Sequence, residues 1–245
     1  MFSFIRTGCR AILEVLFPRC CMACGCKLQE EEQVVCADCV ATLPRTEHTL
    51  LEQNGVDMLF QQLFKDEKCR VRYERGMAFA YYNRGRGKNL RALIERGKFG
   101  NHPHPQVFYM LGRLAAQEYI DVDLWDDIDV IVPVPLHPKR LRARGFNQAE
   151  WIGRGLSDVL HIPVDTEHLV RTRNNPHQSQ ARFEKRKGNV KNIFAVRFPE
   201  EWKNKHILLV DDVITSGSTL FSCMKCTTAI RGCRVSVFAL GWAHN

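Results

Sequence analysis

The sequence predicts an α/β protein with a mainly parallel sheet flanked by helices and preceded by a small four-cysteine module. Apolar runs without alternation at 128–136 and 206–210 are typical of strands buried on both faces of a parallel sheet. Helical patterns lie between the predicted strands, as βαβ units require. Two Cys-x-x-Cys pairs crowd into 21–39, in a segment too short to bury a core.

The composition indicates an ordinary globular chain with excess positive charge. The 245 residues are 45% hydrophobic and 25% charged, with a formal net charge of +8. This length suits one large domain, or a medium domain with a small module. The charge favours polyanionic partners such as nucleic acid, phosphorylated small molecules or an anionic membrane surface.

The N-terminal stretch 1–17 has apolar residues at helical spacing, interrupted by Arg6, Arg10 and Glu14. We predict an amphipathic helix that packs on the protein, with an interfacial membrane helix as the alternative. No stretch approaches the roughly 18 consecutive apolar residues of a membrane span. We therefore expect a cytoplasmic protein without a membrane span.

Three regions follow from the change of pattern along the chain. We predict an N-terminal helix and cysteine module at 1–45, a connector with some amphipathic helix at 46–75, and an α/β domain at 76–245. The elements predicted for this domain are a strand at 76–82, helices at 88–99 and 106–120, a strand at 128–136, a helix at 147–160, a strand near 163–170, strands at 193–196 and 206–210, a helix from about 218 to 231, and a strand at 234–240.

The cysteine pairs Cys21/Cys24 and Cys36/Cys39 have the spacing of a zinc ribbon. Zn²⁺ prefers four soft ligands in a tetrahedron, and each Cys-x-x-Cys turn supplies two. A module with almost no core also needs a metal to stay folded. Two alternatives stay open: a neighbouring cysteine, Cys20 or Cys26, replaces one ligand, or the cysteines are buried or redox-active thiols.

An acidic and hydroxyl-rich loop follows the apolar strand at 206–210. The pair Asp211 and Asp212 comes first, and Thr215, Ser216, Gly217, Ser218 and Thr219 lead into a helix. Hydroxyls and N–H groups around a glycine at a helix N-terminus form a phosphate cradle. The carboxylates would repel phosphate, so we expect them to face sugar hydroxyls, Mg²⁺ or both. The alternative is that the acids merely precede a helix that a serine caps.

This loop resembles the phosphoribosyl pyrophosphate (PRPP) motif of type I phosphoribosyltransferases. Together with the four-cysteine ribbon, the segments 132–150 and 171–194 make the chain similar to the ComF family, also called the ComFC or GntX type. The resemblance implies a type I phosphoribosyltransferase-like fold with an N-terminal zinc ribbon. It also implies PRPP and Mg²⁺ binding, and a role in competence and DNA uptake.

The resemblance also implies roles for individual residues. Asp211 and Asp212 would hold the ribose hydroxyls and Mg²⁺ and would be the catalytic pair of an enzyme, and 215–219 would hold the 5′-phosphate. The pyrophosphate would meet a cationic loop that carries Lys139, Arg140, Arg142 and Arg144. From the residues alone, a solvated basic face remains the alternative for this loop. Gln148 would shape the following turn or touch ligand, and Gln178 and Arg186 match family-like positions without an assigned step.

Two functions remain open. In the first, the chain binds PRPP with Mg²⁺ and single-stranded DNA, together with proteins of the DNA-uptake machinery. Aromatic residues near cations are compatible with DNA binding, although we expect most of them in the core; these are Tyr81, Tyr82, Phe99 and Trp151. In the second, the chain is an active phosphoribosyltransferase that transfers phosphoribose from PRPP to a nucleobase or amine.

Overall fold

The computed structural model describes residues 18–82, 88–99, 104–173 and 193–243. The helix predicted at 1–17 lies outside the described residues. The same holds for Gln178 and Arg186 and for most of the polar tract that contains them.

The described residues form seven α-helices, six strands and two short 3-10 helices. The α-helices are α1 (Ala37–Ala41), α2 (Gly55–Asp66), α3 (Lys88–Phe99), α4 (Pro105–Glu118), α5 (Pro138–Arg144), α6 (Gln148–Leu160) and α7 (Ser218–Lys225). The strands are β1 (Tyr73–Tyr81), β2 (Val130–Pro133), β3 (Leu169–Arg171), β4 (Phe194–Val196), β5 (His206–Ile214) and β6 (Arg234–Trp242). Short 3-10 helices lie at His48–Leu50 and Pro199–Trp202.

Four strands form a parallel sheet in the order β1-β6-β5-β2. Both faces are buried, which explains why these strands are apolar without alternation. Leu208 and Val210 of β5 pack on one face with residues of α3, α4 and α6. Ile207 and Leu209 pack on the other face with residues of α2 and α7. The predicted α/β class, a parallel sheet flanked by helices, is confirmed.

Helices α4 and α6 pack unusually closely because a glycine on each helix faces the other backbone. A Cβ atom at Gly112 would overlap the carbonyl oxygen of Ile152, and a Cβ atom at Gly155 would overlap that of Tyr109. Only a residue without a side chain fits at these contacts. The two glycines thus hold α6, which follows the cationic segment, close against α4.

Three predicted elements differ in the structure. The strand predicted near 163–170 is reduced to a bridge between Ile131 and Val164 and the short β3, which pairs with β4 in a separate antiparallel ladder. The last helix ends at Lys225 rather than near 231. The Thr227 hydroxyl donates to a carbonyl of that last turn, 2.7 Å away, and such side-chain bonds compete with the helix.

The third difference is the cationic segment, which we expected to be a loop and which forms helix α5. Pro138 occupies its first turn, where a missing N–H costs nothing, and the His137 ring accepts a hydrogen bond from the N–H of Lys139 at 3.2 Å. Gly145 ends the helix with φ +86°. Asn147 then caps α6 and accepts a hydrogen bond from the N–H of Ala149.

The cysteine module and the predicted connector both pack on the sheet. Buried residues of the module, including Leu28 and Val34, join the cluster on the α4 face. In the connector, Asn54 caps α2, and Val56 and Phe60 are fully buried beneath the sheet. The two boundaries between the three predicted regions stay predictions.

Candidate functional site

The acid pair lies at the carboxyl end of β5, the end where open α/β sheets bind ligands. Asp211 and Asp212 are still part of the strand, which runs on to Ile214. Neighbouring strand positions point to opposite faces, so a ligand that uses both carboxylates has to sit across the strand end. Asp212 is 6% exposed, and the ammonium nitrogen of Lys98 lies 2.5 Å from its Oδ2 atom. The N–H of Asp212 donates to Oδ1 of Asp211 at 2.9 Å.

Asp211 is an unusual carboxyl group. Burial among protein atoms, and after it the charge of Asp212, raises the pKa of Asp211 to about 7, although the residue keeps some solvent exposure. The positive charges of Lys98 and Arg171 oppose this rise in pKa. A cation or a set of hydroxyl donors at this position would stabilise the charged carboxylate.

The hydroxyl loop connects β5 to α7. Gly217 has φ +68° and stands at the N-cap of α7, where the structure shows no capping side chain. The serine hydroxyls of Ser216 and Ser218 are 2.8 Å apart, and Thr215, Ser216, Ser218 and Thr219 are exposed. The N–H groups of a first helical turn have no partner within the helix. Exposed hydroxyls and such N–H groups together suit an anion.

Cations from two further elements lie near the acid pair. Arg144 of α5 interacts electrostatically with Asp212, and Arg171 of β3 interacts with Asp211. Burial is the main cause that lowers the pKa of both guanidinium groups, and the nearby charge of Arg140 adds to the decrease. A polyanion bound here would relieve the repulsion among these cations. Lys139 is exposed on α5, and within the described ranges no ion pair joins it to the acids.

The N-terminal cysteines form a compact thiol cluster. The Sγ atoms of Cys21, Cys24, Cys26 and Cys36 all lie within 4.8 Å of one another. Sγ of Cys24 is 3.8 Å from that of Cys36, and Cys39 interacts with the thiols of Cys21, Cys24 and Cys36. Five sulfurs thus converge where four were expected.

Backbone N–H groups prepare these thiols for metal binding. The amides of Ala23 and Cys36 donate to Sγ of Cys21 at 3.4 and 3.3 Å. Burial opposes ionisation of Cys21, but these amides and that of Cys24 outweigh it and lower the pKa of the Cys21 thiol. The N–H of Cys26 is the main cause that lowers the pKa of Cys24 to about 6. N–H···S bonds of this kind stabilise thiolates, so the cluster can hold a metal ion such as zinc.

Comparison with known proteins shows the family. The chain is 31% identical over 209 residues to the DNA utilization protein YhgH of Escherichia coli strain K12, a match that covers 83% of this chain and 88% of that protein. The chain belongs to the ComF family. A scan against protein-family models finds no match.

Two competence proteins are further relatives of this ComF chain. It is 34% identical over 138 residues to competence protein F of Haemophilus influenzae, covering 54% of this chain and 58% of that protein. Competence protein ComFC of Bacillus subtilis is 24% identical over 220 residues, covering 89% and 75%.

Solved phosphoribosyltransferases are structural neighbours of the ComF chain. Adenine phosphoribosyltransferase from Leishmania donovani is 16% identical with a TM-score of 0.36, covering 77% of this chain and 81% of that one. The allosteric regulatory enzyme of purine biosynthesis is 18% identical with a TM-score of 0.36, and the match covers 58% of this chain and 29% of that one. TM-scores this low do not support a conclusion about function.

The ComF fold brings most of the predicted site residues to one end of the sheet. The acid pair, the hydroxyl loop and Arg144 meet there, while their roles stay predictions. Sequence reasoning missed Lys98 and Arg171, which the structure places beside the acids. Lys98 lies in a charged stretch of α3 and Arg171 begins a polar tract, so no linear signal marks either. None of the helices within the described ranges is long and apolar enough to cross a bilayer.

Proposed function

We propose that this ComF protein binds PRPP with Mg²⁺ at the carboxyl end of its sheet and binds single-stranded DNA, acting in competence and DNA uptake. One observation carries the PRPP part of this proposal. A carboxylate pair, a hydroxyl loop on a helix N-terminus and a group of partly buried cations converge at one sheet end. The named relatives support the cellular role.

Each part of PRPP has a matching feature at the site. The loop 215–219 offers hydroxyls and N–H groups to the 5′-phosphate. Asp211 and Asp212 would accept hydrogen bonds from the ribose hydroxyls and hold Mg²⁺, which prefers carboxylate oxygens. The pyrophosphate would neutralise Arg140 and Arg144.

We further propose that the cysteine cluster holds a structural zinc ion in the N-terminal module. The thiols Cys21, Cys24, Cys36 and Cys39 would hold this ion and keep the small module folded. The module and the basic surface would then contact DNA or proteins of the uptake machinery.

Titration of the purified protein with PRPP and Mg²⁺ by calorimetry tests the site. We expect saturable binding that Asp211→Asn and Asp212→Asn each weaken at least about 10-fold, since each removes a charge-assisted contact. The exposed Asp126→Asn serves as the control and should bind as the wild type does. Binding that neither site variant weakens would contradict the assignment.

The second candidate is an active phosphoribosyltransferase. The cations beside the acid pair favour it, because Arg140 and Arg144 with Mg²⁺ would stabilise a departing pyrophosphate as C1 of the ribose gains positive charge. Pyrophosphate release measured with PRPP and candidate nucleobases or amines decides between the two. Binding without release supports the uptake factor, and release that depends on one acceptor supports the enzyme.

A further inference from the structure

Phe99 is the last residue of α3, and its side chain is 73% exposed. A single exposed aromatic residue is common and needs no explanation of its own. Phe99 differs because a guanidinium group lies over its ring. The Cζ atom of Arg144 is 4.9 Å from the ring centroid, within cation–π range.

Arg144 is itself held in place. Its Nη1 atom donates to Oε1 of Gln148 at 2.5 Å, across the turn between α5 and α6. The guanidinium therefore supports one side of the Phe99 ring from a fixed position, while most of the ring surface stays open to solvent. A flat, open aromatic surface with a rigid support has the form of a stacking platform.

This platform stands directly beside the acid pair. Lys98, the residue before Phe99, contacts Asp212, and Arg144 interacts electrostatically with the same carboxylate. Arg144 would therefore lie between the Phe99 ring and a sugar phosphate bound at the acid pair. Cations for phosphate and an aromatic face for a base are the two parts that nucleotide-binding surfaces combine.

We propose that Phe99, supported by Arg144, stacks on the flat face of a nucleobase. This inference rests on the proposed function, because the sugar phosphate at the acid pair sets the position of the base. The base comes from a small nucleotide or acceptor bound at the site, or from single-stranded DNA that passes over it. The chemistry of recognition is the same for both sources.

Binding of base-bearing and base-free probes to the intact protein tests the proposal. The small probes are AMP and ribose 5-phosphate, and the DNA probes are an oligothymidylate of about 12 nucleotides and an abasic deoxyribose-phosphate strand of equal length. The proteins are the wild type, Phe99→Leu, which keeps an apolar side chain, and Phe99→Trp, which keeps an aromatic face.

We expect Phe99→Leu to weaken binding of at least one base-bearing probe about 5- to 100-fold, as the loss of one stacked base does. Phe99→Trp should bind that probe about as well as the wild type, and the base-free probes should not change. If Phe99→Leu loses affinity for AMP alone, the platform serves a small ligand. If it loses affinity for the oligothymidylate alone, the platform serves DNA. If it loses affinity for both, the platform stacks on bases from both sources.

Three results would overturn the inference. Phe99→Leu could bind both base-bearing probes as tightly as the wild type, or it could lose as much affinity for the base-free probes. The wild type could also bind base-bearing probes no more tightly than base-free ones. The proposed function has a separate criterion, which is PRPP and Mg²⁺ binding by the wild type and its loss in the Asp211 and Asp212 variants. The stacking proposal can therefore fail while the PRPP site stands.

Discussion

Asp211 lies in the candidate site, and ionisation of its carboxyl group lowers the stability of the folded state. Its pKa is raised by burial and by Asp212, so the folded protein holds the carboxyl proton more tightly than the unfolded chain does. A raised folded-state pKa gives stability that is complete below the unfolded value near pH 4 and is lost as the pH rises through about 7. Asp211 thus becomes destabilising in the pH range where the proposed PRPP site needs its charge.

We predict that Asp211→Asn raises the free energy of unfolding at pH 8 by at least about 1 kcal/mol, because asparagine carries no buried charge. The difference should shrink towards pH 5. Urea unfolding at several pH values measures it, with Asp126→Asn as the exposed control. A difference that stays constant with pH would contradict the raised pKa.

The fourth zinc ligand is also decided at the scale of single residues. Cys26 lies in the tightest sulfur cluster but is exposed, whereas Cys39 is buried like Cys21 and Cys36. Cys39 also completes the second Cys-x-x-Cys pair with Cys36, the spacing of a zinc ribbon, so we favour Cys39.

We predict that Cys39→Ser lowers zinc from about one ion per chain to less than half, while Cys26→Ser leaves the zinc content nearly unchanged. Metal analysis of the two purified variants measures this, and Cys20→Ser provides a further exposed control. The opposite pattern would assign the fourth ligand to Cys26.

At the next scale, helix α3 joins the cysteine module to the acid pair. Arg96 donates to the carbonyl oxygens of Met22 and Ala23 at 2.7 and 3.2 Å, within the first cysteine turn. Two residues later, Lys98 contacts Asp212. One helix therefore sets the distance between the thiol cluster and the acid pair.

We predict that Arg96→Ala loosens the docking of the cysteine module, because it removes two hydrogen bonds from a charged donor, at a cost of about 1 to 3 kcal/mol. Amide hydrogen exchange at 19–41 should become faster while zinc content is retained. Arg91→Ala is the matched control on the same helix, since Arg91 contributes an exposed ion pair with Glu95. Equal exchange in the two variants would show that Arg96 does not dock the module.

On the scale of the whole molecule, cations from three separate elements meet at one end of the parallel sheet. Arg140, Arg144, Arg171 and Lys98 gather at its carboxyl end. Lys203 lies before β5, at the opposite end of the sheet, and pairs with Glu200. Under the proposed function, single-stranded DNA would bind at the carboxyl end, where these cations meet.

We predict that the affinity for single-stranded DNA falls steeply with salt. Lys139→Gln should reduce the slope of log K against log salt by about 0.7, the value for one lost phosphate contact. Lys203→Gln at the opposite end of the sheet should leave the slope unchanged. Fluorescence anisotropy at several salt concentrations measures both slopes, and equal slopes would place DNA elsewhere.

The sequence pattern was sufficient to predict the helices and strands whose apolar residues recur at regular spacing or in continuous runs. The helices at 88–99 and 147–160 follow from periodicity, because each helix buries one face. The strands around 76–82 and 206–210 follow from apolar runs, because both faces of the sheet are buried. The acid pair and hydroxyl loop were predictable for a different reason. Their residues are consecutive, so the strand end that carries one carries the others.

The remaining features depend on contacts between distant segments. Lys98 reaches Asp212, and Arg144 covers Phe99, only because the parallel sheet brings α3, α5 and β5 to one end. The fifth sulfur at the thiol cluster and the open ring of Phe99 were likewise set by packing. Chain composition and spacing therefore decided the class of fold, the family and the candidate ligands. Tertiary structure decided which cations surround the acids, because spatial neighbours far apart in sequence leave no trace in spacing.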